Sequence, residues 1–192
     1  MTLQILFIII STLIALISPI VYTKAILRGD AKPHRTTRLV LFLITALTTA
    51  SLFAQHDKVA IYLAAVSTFQ STIIFILSIK YGMGGWEKSD ILCLVIALLG
   101  IVLWKTTQNP VIALYAAIAA DFTGMIPALI KTYNQPETEV WNFYLLDVFA
   151  GGFSMLALRS WTLQEFSYPT YIMLINLVMV YLIVRPKISR VS

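Results

Sequence analysis

The sequence predicts an all-α membrane protein built as a bundle of seven transmembrane helices. Of its 192 residues, 59% are hydrophobic and only 12% are charged, whereas charged residues make up about a quarter of a soluble domain. The apolar residues fall into seven stretches of about 15 to 25 residues, and a helix needs about 20 residues to cross a bilayer. These stretches occupy nearly the whole chain. A soluble enzyme, an extracellular disulfide framework and a nucleic-acid reader are therefore disfavoured.

The predicted spans follow one another with connections of only a few residues, so sequential helices should lie antiparallel and side by side. In order, they are 3–27, 36–54, 59–80, 90–104, 110–131, 138–158 and 166–184. The first is longer than a signal-peptide core and no basic residue precedes it, so we interpret it as a retained helix. The fourth is the shortest, and it would span only if the bilayer thins or if Lys88 and Lys105 reach the two interfaces.

The basic residues predict the orientation of the bundle. With the N-terminus outside and the C-terminus in the cytoplasm, all but Lys58, Lys105 and Arg159 of the 14 Lys and Arg residues lie on the inner side. Cytoplasmic loops of membrane proteins collect Lys and Arg. The net charge of +5 is therefore a topology signal rather than a nucleic-acid patch, and we expect an integral protein of the plasma (inner) membrane.

An internal repeat divides the chain into two similar halves. In the first half the order is Pro19, Tyr22, Lys24, Lys32-Pro33 and Thr36-Thr37. In the second half it is Pro127, Lys131, Tyr133, Gln135-Pro136 and Thr138. A lone fourth span between two sets of three would give both copies the same orientation, a parallel repeat that alternating-access carriers use. The alternative is that residues of these types coincide by chance in two bundles of similar composition.

This repeat predicts a 3+1+3 architecture. Its parts are a first three-helix bundle at 1–81, a linker helix at 82–109, and a second three-helix bundle with a basic tail at 110–192. The pattern of a mid-helix proline, a Lys-Pro or Gln-Pro pair and a Thr at the next helix start resembles the SWEET, SemiSWEET and PQ-loop transporter superfamily. The Pro-Gln dipeptide that names the PQ-loop group is absent, because Ile20 and Ala128 follow the two prolines.

The resemblance implies a small-solute carrier, sugar-like in the SWEET members, with a pocket between the two three-helix bundles. The topology also resembles that of nicotinamide riboside carriers and KDEL receptors, so the fold does not name the solute. A proton-coupled vitamin or amino-acid carrier and a non-transporting receptor or assembly factor stay open as alternatives. Two repeats in one chain make an oligomer possible but not required.

Two prolines and a glycine inside spans are candidate hinge residues. Pro19 and Pro127 each remove a backbone donor within a helix and clash with a preceding carbonyl, and Gly124 weakens the fifth span further. We predict hinges for alternating access here, as the resemblance also implies for such prolines. A static kink is the alternative. Trp141, near the inner end of the sixth span, is a candidate gate residue or an interfacial belt residue.

Asp121 and Asp147 are the acids that lie well inside apolar spans, where a carboxylate costs several kcal/mol unless it is neutralised or partnered. Counted from the cytoplasmic turn, both lie roughly 14 to 15 Å deep at about 1.5 Å per residue. Two carboxyls in one low-dielectric site cannot both ionise cheaply, so the pair could carry a proton or bind a cationic group. The alternative is that Asp121 caps a half-helix and that Asp147 bonds a neighbouring Tyr or Ser.

Gln70 and Asn176 lie in the middle of the third and seventh spans and are candidate solute contacts. An amide in hydrocarbon must find partners across helices or in a ligand. In the resembling family the pocket amides come from these same two spans. The alternative role is to join helices to one another. Gly151 and Gly152 in the sixth span favour close helix packing.

No pattern in the chain predicts catalysis, a metal or a cofactor. His34 and His56 lie in loops without the Cys or acid spacing of a metal site, and no phosphate loop, nucleophile elbow or metalloprotease helix occurs. The expected partners are the lipid bilayer and a small polar solute, with or without protons, and not nucleic acid.

Overall fold

The computed structural model of the chain describes residues 3–33, 35–82 and 88–188. The described residues form seven α-helices and no strand. The helices are α1 (Leu3–Arg28), α2 (Arg35–Ala54), α3 (Ala60–Tyr81), α4 (Lys88–Thr107), α5 (Pro110–Asn134), α6 (Trp141–Leu156) and α7 (Leu163–Ile188), with a 3-10 turn at Pro136–Thr138 before α6. The predicted all-helical class is confirmed.

Among the described residues, five helices are long and apolar enough to cross a membrane, namely α1, α2, α3, α5 and α7. Helix α6 is shorter, with 16 residues. Helix α4 has 20 residues and contains an apolar stretch at Leu94–Thr107. The fold is therefore compatible with a membrane bundle.

The helix bounds differ most from the predicted spans at α4, α6 and α7. Helix α4 has 20 residues and so exceeds the predicted 90–104 at both ends. Helix α6 is the shortest, because Pro136 starts a separate 3-10 turn and α6 begins only at Trp141. Helix α7 extends beyond the predicted 166–184 on both sides. The last four residues of the predicted basic tail, 189–192, lie outside the described residues.

Local side chains explain several helix ends. Gly29 follows α1 with a φ of 84°, a conformation that glycine adopts without a Cβ clash, and the amide of Asp30 donates to Ala25 O at 2.9 Å. At the start of α3, Asp57 Oδ1 accepts from the amides of Val59 and Ala60 at 2.8 and 2.6 Å. Asn109 caps α5 and Pro110 occupies its first turn, where a missing amide proton costs nothing.

Six of the helices form a closed ring in the order α1, α3, α2, α5, α7, α6 and back to α1. Each packs against the helix on either side of it, and α3 also contacts α6 and α7 across the ring. Helix α4 lies outside the ring against α5 and α2. From Ile91 to Leu103, the described exposed side chains of α4 are all aliphatic, which suits contact with lipid chains.

Hydrogen bonds between helices show how neighbouring helices run relative to each other. Ser11 Oγ donates to Ala150 O at 2.7 Å and Ser18 Oγ to Phe143 O at 3.3 Å, so α1 and α6 are antiparallel. Near the end of α2, Ser51 Oγ donates to the carbonyl of Pro110 at the start of α5, at 3.1 Å.

Glycine permits the closest helix contact between α6 and α7. A Cβ on Gly151 would lie 3.1 Å from both the amide nitrogen of Met173 and the carbonyl oxygen of Pro169, whereas one on Gly152 would meet only Met173 Sδ at 4.0 Å. The packing role predicted for this glycine pair therefore applies chiefly to Gly151.

The two ends of the bundle differ in charge, and we name them for it. The basic face contains the ends of α1, α3, α5 and α7 and the starts of α2 and α6. Arg35 Nε donates to Ser78 O at 3.1 Å, and Arg185 Nη2 to Tyr133 O at 2.9 Å. Both cations thus contact helix C-termini, where the helix dipole favours positive charge. The opposite end, which contains the start of α1, is the N-terminal face.

Candidate functional site

Asp147 on α6 is joined to α3 and lies beside α1 in the interior of the ring. Gln70 Nε2 on α3 donates to Asp147 Oδ2 at 3.1 Å. Ser18 on α1 also interacts with this carboxylate, while its hydroxyl donates to Phe143 O. Gln70, predicted as a solute contact, therefore links two helices through Asp147.

Asp121 on α5 has a different partner. The hydroxyl of Tyr171 on α7 donates to Asp121 Oδ2. This carboxylate does not cap a half-helix, because α5 runs as one α-helix from Pro110 to Asn134. The hydroxyl of neighbouring Thr123 donates instead to Ala119 O at 2.8 Å.

Tyr168, one turn before Tyr171 on α7, is 3% exposed and packs in an apolar cluster with Leu52 and Leu114. Its hydroxyl is buried beside Ser67. The two acids are thus held separately, Asp121 by Tyr171 and Asp147 by Gln70.

Asn176, the fourth predicted contact, is buried on α7 and donates from Nδ2 to Ile172 O one turn earlier, at 2.8 Å. This bond stays within its own helix. The predicted repeat pairs it with Gln70, but the two amides have unlike partners.

The predicted hinge and gate residues lie in regular helix or at a helix start. Helix α1 continues through Pro19, which is buried, and α5 continues through Gly124 and Pro127. Trp141 is the first residue of α6 and is 41% exposed, a position that suits a belt residue at a membrane surface.

A buried polar network closes the basic face. At its centre is Glu139, whose side chain is 6% exposed. Glu139 Oε1 pairs with Lys131 Nζ at 3.2 Å, and Oε2 accepts from the hydroxyls of Tyr22 at 3.3 Å and Tyr144 at 3.0 Å. Arg38 Nη2 in turn donates to the Tyr22 hydroxyl at 3.0 Å. We call these five residues the Glu139 network.

The Glu139 network joins both halves of the chain. Tyr22 comes from α1 and Arg38 from α2, while Lys131 comes from α5, Glu139 from the turn before α6, and Tyr144 from α6. The Tyr22 ring also stacks against Phe143 with centroids 4.4 Å apart. A charge-assisted network of this kind holds its helices together strongly, because each buried polar group depends on the others.

Sequence reasoning missed this network, since it treated Lys131 and Arg38 as topology signals and gave Glu139 no role. One signal was available. Glu139 is an acid on the predicted basic side and follows Pro136, at the place where Thr36 follows Pro33 in the first half.

The N-terminal face opens into a cleft of about 840 Å³. Its walls come from the first three turns of α1, from the α2–α3 connection and from the start of α7, as shown by Gln4, Leu13, Lys58, Tyr62 and Glu165. The wall along α1 is about 14 Å long at 1.5 Å per residue. None of the four predicted solute contacts lines this cleft.

Opposite charges line the cleft in equal number. Lys58 and Arg159 are basic, while Asp57 and Glu165 are acidic. Both acids already accept hydrogen bonds, Asp57 from the first amides of α3 and Glu165 from Ser160 Oγ at 2.6 Å. Arg159 donates to Gln4 Oε1 across the cleft.

In the ranges that the structure describes, no three His, Cys, Asp or Glu side chains come together as a metal site requires. His34 lies outside those ranges. No protein-family model, no curated protein and no solved structure matches this chain.

Proposed function

We propose that the protein is a transporter that moves a small polar solute across a membrane by alternating access. One observation carries the proposal. The basic face is closed by the Glu139 network while the N-terminal face opens into a large cleft. A carrier needs this asymmetry, with one end shut and the other accessible in any one state.

The pattern of helix neighbours supports a 3+1+3 arrangement of two parallel repeats. In the first half α3 lies between α1 and α2, and in the second half α7 lies between α5 and α6. Between the halves, α1 contacts α6 and α2 contacts α5. Exchanging the two halves reproduces the same neighbours, which is the relation expected of a SWEET-like bundle, with α4 as the linker.

The polar interior is the proposed solute pathway. Gln70, Asp147, Asp121 and Asn176 lie on α3, α6, α5 and α7, all of which belong to the ring. Polar and ionisable residues inside membrane helices are costly, so they usually mark pathways for ions or solutes. The proposed orientation in the inner membrane places the basic face in the cytoplasm, so the state described is outward-open.

A test of alternating access needs no knowledge of the solute. Ser18 is fully buried on α1, one turn from Tyr22 and inward of the Glu139 network. A Ser18→Cys reporter in a Cys93→Ser background should resist a membrane-impermeant maleimide applied from the basic face. Adding Glu139→Gln should make the reporter reactive from that face by about tenfold or more, because loss of the carboxylate charge weakens the closure.

A matched control is Glu137→Gln, since Glu137 lies exposed on the 3-10 turn beside the network. It should leave the reporter unreactive. Equal reactivity with and without the Glu139 substitution would contradict a gate at this face.

Flux separates a carrier from a receptor of the same fold. Proteoliposomes should show saturable uptake of at least one solute from a panel of labelled sugars, nucleosides, vitamins and amino acids. The flux should fall in Gln70→Ala and Asn176→Ala. Binding of a panel member without any flux would favour the receptor or assembly-factor alternative.

A further inference from the structure

The two acids that line the N-terminal cleft are already partnered by the protein. Asp57 Oδ1 accepts from three backbone amides at the start of α3. Glu165 lies in the first turn of α7 and accepts from Ser160 Oγ. Both carboxylates thus lie at helix N-termini, where the helix dipole favours negative charge. The protein itself therefore compensates the acidic side chains of the cleft.

The two cations of the cleft have fewer partners. Lys58 forms neither a hydrogen bond nor an ion pair within the described ranges. Arg159 donates from Nε to Gln4 Oε1, and in the same part of the chain its other N–H groups make no hydrogen bond. A guanidinium presents a planar fork of donors that fits the two oxygens of a carboxylate, and an ammonium adds a point charge. The cleft therefore offers free donors to an anion.

An aliphatic wall lines the same cleft. Ile5, Ile9 and Leu13 follow one another at intervals of four residues on α1, and all three are exposed. We call these three side chains the α1 wall. Residues four apart lie on one face of a helix, so the wall is continuous over roughly 12 Å at about 1.5 Å per residue. Contact between this wall and a hydrocarbon group would remove apolar surface from water, which is favourable.

We propose that the N-terminal cleft binds a small aliphatic carboxylate, with its anionic group at Lys58 and Arg159 and its hydrocarbon body along the α1 wall. The volume of about 840 Å³ lies within the range of about 300 to 1,000 Å³ that is typical of small-molecule sites. A single negative charge fits better than a dianion, because Asp57 and Glu165 border the same cleft and like charges repel. Naming this ligand as the transported solute rests on the proposed function, whereas its binding in the cleft does not.

A phospholipid also combines one negative charge with hydrocarbon. The free carboxylate is favoured because the cleft is bounded by helix ends and two connections, with polar side chains such as Gln4, Gln55 and Gln164 around it. In a membrane such a cleft opens to water at the surface of the bundle. Phosphatidylglycerol is therefore included in the test as the competing source of the same chemistry.

The test is thermal unfolding of the full-length protein in a non-ionic detergent at constant pH and ionic strength. The probes are 4-methylpentanoate, hexanoate and cyclohexanecarboxylate, each paired with its own amide, which has nearly the same shape and no charge. At least one carboxylate should raise the melting temperature in a saturable way, while its amide and acetate at the same concentration should not. Equal stabilisation by the amide, or none by any of the three carboxylates, would overturn the proposal. Stabilisation by phosphatidylglycerol alone would make the cleft a lipid site and would overturn it as well.

Substitutions of the cations locate the bound carboxylate. Lys58→Ala and Arg159→Gln should each weaken its binding by about tenfold, as the loss of one hydrogen bond between charged groups does, and Lys58→Arg should retain most of the affinity. Lys105→Ala is the control, because Lys105 lies exposed at the end of α4 and does not line the cleft. Unchanged affinity in both cation variants would place the ligand elsewhere and refute the proposed site.

Ile9→Ser tests the α1 wall. Ile9 is exposed, so the protein should still fold but should bind the stabilising carboxylate several-fold more weakly. Equal affinity in the folded variant would contradict the hydrocarbon part of the site. Because the Ser18→Cys reporter uses no solute, failure of carboxylate binding would leave the alternating-access mechanism standing. Carboxylate binding without any flux would instead keep the cleft site and count against the carrier.

Discussion

The two ends of the bundle handle buried charge in different ways. At the basic face, Glu139 is almost completely buried and its partners are side chains of three different helices, α1, α5 and α6. At the N-terminal face, Asp57 and Glu165 border an open cleft and are held by backbone amides and a nearby serine. One end is a tertiary network across five segments, whereas the acids at the other end are held by local contacts next to solvent.

This difference indicates which end of the bundle should contribute more to the free energy of unfolding. A buried charged group that loses its partners leaves the whole desolvation penalty behind, whereas water replaces a lost contact at an open cleft. Removing the same chemical group at the two ends should therefore have very different effects. Paired substitutions at the two ends, compared by the free energy of unfolding in detergent micelles, measure this difference.

The largest effect should come from Glu139→Ala. It leaves Lys131 without its ion-pair partner and two buried tyrosine hydroxyls without an acceptor. We expect a loss of about 3 kcal/mol or more, as found when one member of a buried charged pair is removed. Glu137→Ala, on the adjoining 3-10 turn, should stay close to the parent protein. A similar small loss for both would show that the network does not hold the halves together.

A smaller loss is expected for Tyr144→Phe, which removes one donor to the Glu139 carboxylate at 3.0 Å and keeps the ring. A hydrogen bond to a charged group contributes about 1.5 to 3 kcal/mol, and the lower end applies because Glu139 keeps its other partners. Tyr62→Phe in the open cleft, where the side chain is 50% exposed, is the matched control and should have almost no effect. An equal loss of unfolding free energy in both variants would show that the two ends do not differ in this way.

At the N-terminal face, Asp57→Ala should cost about 1 kcal/mol, the usual contribution of a side chain that caps a helix. The substitution removes the acceptor for the first amides of α3. Lys58→Ala, next to it on the same connection, should be neutral. A loss as large as that of Glu139→Ala would mean that the open end is also a tertiary anchor.

The smallest effect should be that of Glu165→Ala, at about 0.5 kcal/mol. Glu165 lies in the first turn of α7, where the helix dipole favours a carboxylate, and it accepts from Ser160. Added salt should reduce the difference further, because this site is in contact with solvent. A salt-independent loss above 1 kcal/mol would contradict the local character of this end.

The helices themselves were predictable from the sequence, because long apolar runs bounded by polar connections have few other stable forms in a membrane. The errors lie at the ends of helices. The sixth span was predicted to begin at residue 138, but Pro136 begins a separate 3-10 turn that includes Thr138, and α6 starts only at Trp141. Local proline geometry decided this boundary, and hydropathy does not register it.

The sequence indicated the residues of the candidate site but not their hydrogen-bond partners. The cost of burying a carboxylate singled out Asp121 and Asp147 from the sequence alone. Nothing in the sequence indicated that Tyr171 holds the first or that Gln70 holds the second. These partners are distant in the chain, and their meeting depends on which helices are neighbours.

By itself, the sequence determined that this chain is all-helical, that several of its helices are long and apolar enough to cross a membrane, and that two acids lie within apolar stretches. These properties depend on composition and on the length of apolar stretches, and not on which helices become neighbours. The tertiary structure decided that Glu139 and Arg38 both meet Tyr22, and that a buried network lies at one face and a cleft at the other. Such contacts arise from the order of helices around the ring, because a side chain finds its buried partner only after distant helices have packed side by side.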